Sequence, residues 1–234
     1  MKMKEYAQTL TEVAQKNGRP IELALSDFLD FLIEHHDVRH FTGDLAQWKE
    51  HIVDAMEQKE DYFRLMMDWY NDVAKSMDMG HWLDLFGQIY EELYLSRGKA
   101  SSQGQFFTPP TISDLMSQIV MGRREDQPEI KGGKVNDCAA GSGRLLLSHF
   151  VEVSNKDRSA GRAFYYVAQD SDPVACKMCA LNMMIHGMQG EVICQNTLAL
   201  NTPSVVYHIN EVRYPIPSPY YSIRRSYPGE KSEK

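Results

Sequence analysis

No apolar run in these 234 residues approaches the ~20 that a helix needs to cross a bilayer. The opening residues, Met1-Lys2-Met3-Lys4-Glu5-Tyr6, lack the apolar stretch of a secretory leader. Cysteine is scarce: four residues, set inside apolar segments and not at the spacings of a disulfide framework. The expectation is a chain that works in a reducing, cytoplasmic setting with no membrane contact. Basic excess is lacking too. Lys and Arg number 25 against 32 acidic residues, a net charge of −7, which argues against a free-standing nucleic-acid binder. The charge is unevenly spread. Residues 1–95 hold 19 acidic and 9 basic side chains, net −10, and the remainder holds 13 and 16, net +3. Contact with a polyanion belongs on the second part, and the acidic first part reads as a surface for a protein partner or as one that deters DNA.

Proline is absent between Pro20 and Pro109, and the apolar residues there recur at helical spacing. Leu29, Leu32 and Ile33 form one stripe, Phe63, Met66, Met67 and Tyr70 a second, and Leu83, Phe86, Tyr90 and Leu93 a third. These stripes read as helix-packing core, with breaks at Gly43 and Gly80. Residues 1–95 are therefore expected to be a helical region, and residues 96–234 a second unit. Within the second unit, Thr108-Pro109-Pro110 opens a helix to about Met121. Lys134 to Asp137, Phe164 to Ala168 and Glu191 to Cys194 read as strands, with helices from Gly143 to Val153 and after Asp172-Pro173. Asp172 is placed to cap the latter helix and Gly187 to close it. Strand–helix alternation of this kind predicts an α/β unit, Rossmann-like, with a mostly parallel sheet. Val205 to Ile209 reads as a further strand, and the proline-rich tail as extended chain or loop.

The first strand runs into Asp137-Cys138-Ala139-Ala140-Gly141-Ser142-Gly143. Glycines at 141 and 143 let the backbone approach a ligand and take positive φ, and the helix behind them offers free N–H groups. The dinucleotide fingerprint Gly-x-Gly-x-x-Gly is missing, and an acid stands four residues upstream of Gly141. An aspartate suits a cationic ligand better than a phosphate, and the sulfonium and ammonium of S-adenosylmethionine fit that requirement. Asp170, 33 residues further on at the end of the second strand, is placed to accept a ribose's hydroxyls.

Four segments in order carry a resemblance. Gly104-Gln105-Phe106-Phe107-Thr108-Pro109-Pro110, Asp137 to Gly143, Gln169-Asp170-Ser171-Asp172-Pro173 with the helix to Gly187, and Gln195-Asn196-Thr197-Leu198 resemble the modification subunits of type I restriction-modification systems. These are adenine-N6 DNA methyltransferases. Cys138 stands where that family usually has proline, and Asn196 where it has aspartate. The resemblance implies an S-adenosylmethionine pocket bordered by Phe107 and Thr108, lined by Asp137, Ala139, Gly141 and Gly143, with Asp170 and Ser171 at the ribose and Asn196 at the adenine. It also implies DNA as substrate, reached through a separate specificity subunit.

The family's Asn-Pro-Pro-aromatic segment, which accepts the protons of the target amine and stacks on the flipped base, is missing. Asn201-Thr202-Pro203-Ser204 has no aromatic residue. Ser218-Pro219-Tyr220-Tyr221 has one proline, and Ser218, Pro219 and Tyr220 are the remaining catalytic candidates. With 91 residues after Gly143, the chain reads as a shortened or divergent member. A non-catalytic interaction or regulatory module on the same fold is the alternative. Cys176 and Cys179 share one helical face and read as core, not as a metal pair, and His35, His36 and His40 as a solvated helix end; no metal site is expected. Arg224 and Arg225 read equally as phosphate contacts or as solvated tail.

Overall fold

A computed structural model describes residues 3–38, 59–95, 108–121, 132–157, 160–199, 202–211 and 221–229. Helices α1 (Met3–Lys16), α2 (Ala24–His35), α3 (Glu60–Asp78) and α4 (Leu85–Tyr90, extended by a π turn at Glu91–Leu95) come first. α1 buries Tyr6, Leu10 and Val13, and α3 buries Tyr62, Leu65, Met66, Trp69 and Val73, so each turns an apolar stripe inward at a 3.6-residue period. The aromatic rings meet at one junction. Phe28 of α2 lies 6.3 Å from Phe86 of α4, and Trp69 of α3 lies 4.9 Å from the same ring. Each large side chain buried in this way contributes ~1.5–3 kcal/mol before entropy is counted.

Next come α5 (Pro110–Met121), β1 (Lys134–Asp137), α6 (Arg144–Lys156), β2 (Tyr165–Asp170), α7 (Pro173–Ile185), β3 (Gly190–Cys194), β4 (Val205–Ile209) and β5 (Ile223–Ser226). The strands form one sheet in the order β1-β2-β3-β4-β5. β1, β2 and β3 are parallel and joined by α6 and α7 as crossover helices. α7 is buried on nearly every side, because the sheet covers one face and α2 and α4 cover the other. Its capping is as read from sequence: the Asp172 side chain accepts from Val174 N–H at 2.8 Å and Pro173 occupies the first turn. One apolar core runs from the helical elements through α7 into the sheet.

Three features depart from the sequence reading. The sheet is mixed, since β4 and β5 run antiparallel to their neighbours. The connection from Cys194 to Val205 is too short for a crossover helix, so the chain can only turn back. The tail also contains a strand, β5, built on the weakly strand-like Ile-Arg-Arg-Ser. Its charges are neutralised in place: Arg225 reaches Asp37 at 2.8 Å and Glu34 at 2.6 Å, and Arg224 reaches Glu211 at 2.9 Å. These arginines are thus ion-paired within the fold and not a solvated tail. Finally, His35 and His36 are not a solvated helix end. The His36 ring bonds Leu32 O at 2.7 Å and the Tyr70 hydroxyl, edge-on to Trp69. His40 lies outside the described residues.

Candidate functional site

The carboxyl ends of β1, β2 and β3 lie side by side, and the loops leaving them converge. The β1 loop is shaped by its two glycines. Gly141 has φ 55° and Gly143 φ 91°, conformations that cost other residues ~1–2 kcal/mol. Ala140 N–H donates to Gln169 O at 2.9 Å and Gly143 N–H to Ala140 O at 2.8 Å, which pins the loop over the end of β2. α6 then begins without a side-chain cap, leaving its first-turn N–H groups facing the loop.

Asp170 fixes this arrangement. One carboxylate oxygen accepts from Gly141 N–H at 2.9 Å, and the other from Asp172 N–H at 3.0 Å. A carboxylate has about four acceptor sites, so each oxygen keeps one lone pair for a ligand. Asp137 is half-buried. Its Oδ1 accepts from Ala139 N–H at 3.1 Å, and its Oδ2 is buried with no hydrogen-bond partner among the described residues. Burial pushes the Asp137 carboxyl above its usual range; the Ala139 amide opposes the rise and neighbouring Asp170 adds to it. A buried carboxylate oxygen without a donor is costly, and a second acid nearby adds to that cost.

Asn196 is exposed and follows β3. Its carbonyl oxygen accepts from Leu198 N–H and Ala199 N–H, both at 3.1 Å, so its own turn takes up the oxygen of the side chain that the resemblance places at the adenine. Thr197 Oγ1 donates to Cys138 O at 3.1 Å and ties the β3 loop to the glycine loop. Ser171 and Ala139 are exposed beside Asp170 and Asp137. Phe107, Ser218, Pro219 and Tyr220 lie outside the described residues. Cys176 and Cys179 are buried in α7 as core residues. Among the described residues no cluster of three or more His, Cys, Asp or Glu forms a metal site, and no helix is long and apolar enough to cross a membrane.

Two groups escaped the sequence reading. Asn136, Gln169 and Gln195 form a ladder across the strand ends: Gln169 donates to Asn136 at 3.0 Å and Gln195 to Gln169 at 2.6 Å. The second group is buried. Asp84 caps α4 by accepting from Gly87 N–H at 2.8 Å, and it also accepts from Asn182 Nδ2 at 2.8 Å, Ser142 Oγ at 2.6 Å and Arg144 Nε at 2.6 Å. Arg144, the first residue of α6, donates further to Glu91 at 2.8 Å and to Thr108 O at 3.2 Å. Burial lowers the Arg144 pKa, but Asp84 and Glu91 outweigh it and the net shift is upward. Gly87 makes room for the cluster, since a Cβ there would stand 2.1 Å from Asp84 Oδ2. The available signals were an aspartate at a helix start and an arginine leading an otherwise apolar turn.

Residues 82–233 match the family model described as N-6 DNA Methylase. Among curated proteins, the type I restriction enzyme MpnII methylase subunit of Mycoplasma pneumoniae is 32% identical over 108 residues, 45% of this chain. The MjaIX methylase subunit of Methanocaldococcus jannaschii is 28% identical over 111 residues, 47% of this chain. The EcoEI methylase subunit of Escherichia coli is 25% identical over 126 residues, 51% of this chain. The chain covers 18%, 18% and 24% of the length of these relatives. A type I restriction-modification methyltransferase subunit from Streptococcus thermophilus superposes with a TM-score of 0.37 at 16% identity, covering 86% of this chain and 53% of that one.

Proposed function

Because the chain belongs to the N-6 DNA methylase family, we propose that it binds S-adenosylmethionine at the ends of β1 and β2 and serves as the methyl-donor-binding part of an adenine-N6 DNA methyltransferase of the restriction-modification type. The observation that carries this reading is the pair Asp137 and Asp170 around the glycine loop, with Asp137 Oδ2 buried and lacking a partner among the described residues. The residues fit the ligand. Asp137 would meet the positively charged methionine end, Gly141 and Gly143 allow close approach, and Asp170 would take the ribose hydroxyls on its remaining lone pairs. Thr108 and Phe107 would border the methionine end, and Ala139 and Ser171 would flank the pocket. When bound, the cofactor supplies an electrophilic methyl group. The protein's own groups bind and orient it; an Asn-Pro-Pro-aromatic segment to act on the adenine amine is absent from the sequence. A second reading is a donor-binding module that lacks transfer activity by itself. DNA would be engaged through a separate specificity subunit, and a protein partner would use the acidic helical region.

Calorimetric titration with S-adenosylmethionine tests the site. The parent chain should bind, and Asp170→Ala should bind about tenfold or more weakly, the worth of one charge-assisted hydrogen bond. Equal affinities would remove Asp170 from the site, and no binding by the parent chain would end the proposal. Labelled methyl transfer to DNA, with and without a specificity subunit, separates the two readings.

A further inference from the structure

The buried Asp84 cluster lies behind the proposed pocket, not in it. Asp84 has no exposed surface and Arg144 is 3% exposed. The carboxylate fills all four of its acceptor sites from three elements: the start of α4, the glycine loop with the first residue of α6, and α7. Arg144 then spreads its donors over Asp84, Glu91 and the carbonyl of Thr108. The consequence is geometric. Thr108 and the glycine loop belong to segments far apart in sequence, and the described hydrogen bonds connect them through Arg144.

We infer that Asp84 and Arg144 are a positioning pair that sets the distance between the Thr108 wall and the glycine-loop wall of the pocket and couples the packing of α4 to cofactor affinity. The inference rests on the cofactor site proposed above. Neither residue touches the cofactor. Asp84→Asn removes the charge and two of the four acceptor sites, so the cluster loses half of the bonds at Asp84, while Arg144 keeps those to Glu91 and Thr108. Ser142→Ala removes a single bond of the same cluster without leaving a buried charge.

The test uses the full chain as Asp84→Asn, Ser142→Ala and a control, Val73→Ala, which trims a buried α3 side chain that makes no hydrogen bond to the cluster. Cofactor affinity, thermal midpoint and amide hydrogen exchange of peptides spanning 137–147 are measured for each. Asp84→Asn should weaken S-adenosylmethionine binding by about tenfold or more, and exchange across 137–147 should quicken without any ligand present. Ser142→Ala should shift both readouts in the same direction by less. Val73→Ala should lower the midpoint while leaving both unchanged, which separates positioning from simple loss of stability. Affinity and loop exchange that follow the midpoint equally in all three variants would overturn the inference. If Asp84→Asn fails to fold, Ser142→Ala decides: parent-like affinity and exchange overturn the inference, and a shift of both upholds it. If the parent chain does not take up S-adenosylmethionine, the proposed function falls, and the exchange data alone decide the positioning claim in the same way.

Discussion

Acidification should unlatch the seam between the helical elements and α7, and His186 gives the effect a magnitude. His186 is 1% exposed. Its Nδ1–H donates to Asn182 O at 2.7 Å, and its Nε2 accepts from Leu83 N–H at 3.2 Å. The Nε2 bond requires the neutral ring, whereas Nδ1–H donates in either protonation state. Burial pushes its pKa from 6.5 down to about 4, outweighing the Asn182 carbonyl and Asp84, which act the other way. The folded state therefore resists a proton that the unfolded chain accepts. The stabilisation is full above pH 6.5 and is lost as pH falls toward 4. A shift of this size corresponds to about 3 kcal/mol over the whole window, of which about 2 kcal/mol is lost by pH 5. His36, lowered to about 3 chiefly by burial, adds a loss of similar size. Urea denaturation at pH 7.5 and pH 5 measures the combined effect. His186→Gln retains an acceptor near the Leu83 amide and cannot be protonated, so its pH-dependent loss should be smaller than that of the parent by about 2 kcal/mol at pH 5. An unchanged loss in His186→Gln would refute the assignment of this titration to the seam.

Two further substitutions test the loop and the sheet edge. Gly143→Ala should destabilise by more than the ~1–2 kcal/mol of left-handed strain, because its Cβ would also meet Cys179 Sγ at 2.9 Å; adding Cys179→Ala should recover part of the lost thermal midpoint, and no recovery would remove the steric half of the account. Arg225→Ala should cost ~1.5–3 kcal/mol in denaturant titrations, since it removes a charge-assisted hydrogen bond to Asp37, which is 3% exposed; a change within the scatter of surface substitutions would show that the pair contributes little.

Much of the candidate site is legible in the order of the residues. A glycine forced into positive φ, an aspartate at a strand end and a capped, proline-initiated helix are local statements, and a local sequence pattern is enough to make them. The strands β1, β2 and β3 and the helix α7 accordingly lie within a residue or two of where periodicity places them. Two uses differ. Asp170 spends half of its acceptor capacity on the backbone of the loop, and Asn196 turns its carbonyl oxygen to its own turn. Spacing cannot show either, because the competing donors come from loops whose path is fixed only on folding.

What the sequence determined by itself is the α/β alternation, the helical character of the described residues among 1–95 and the glycine loop between two acids, since each follows from local propensity and periodicity. Only the tertiary structure decided the rest. β5 pairs with β4 while Glu34 of α2, Asp37 and Glu211 neutralise its arginines, and the sheet turns antiparallel because a short connection after β3 leaves no room for a crossover. The Asp84 cluster joins residues 58, 60 and 98 positions apart, and a buried charge becomes tolerable only when such distant partners arrive together.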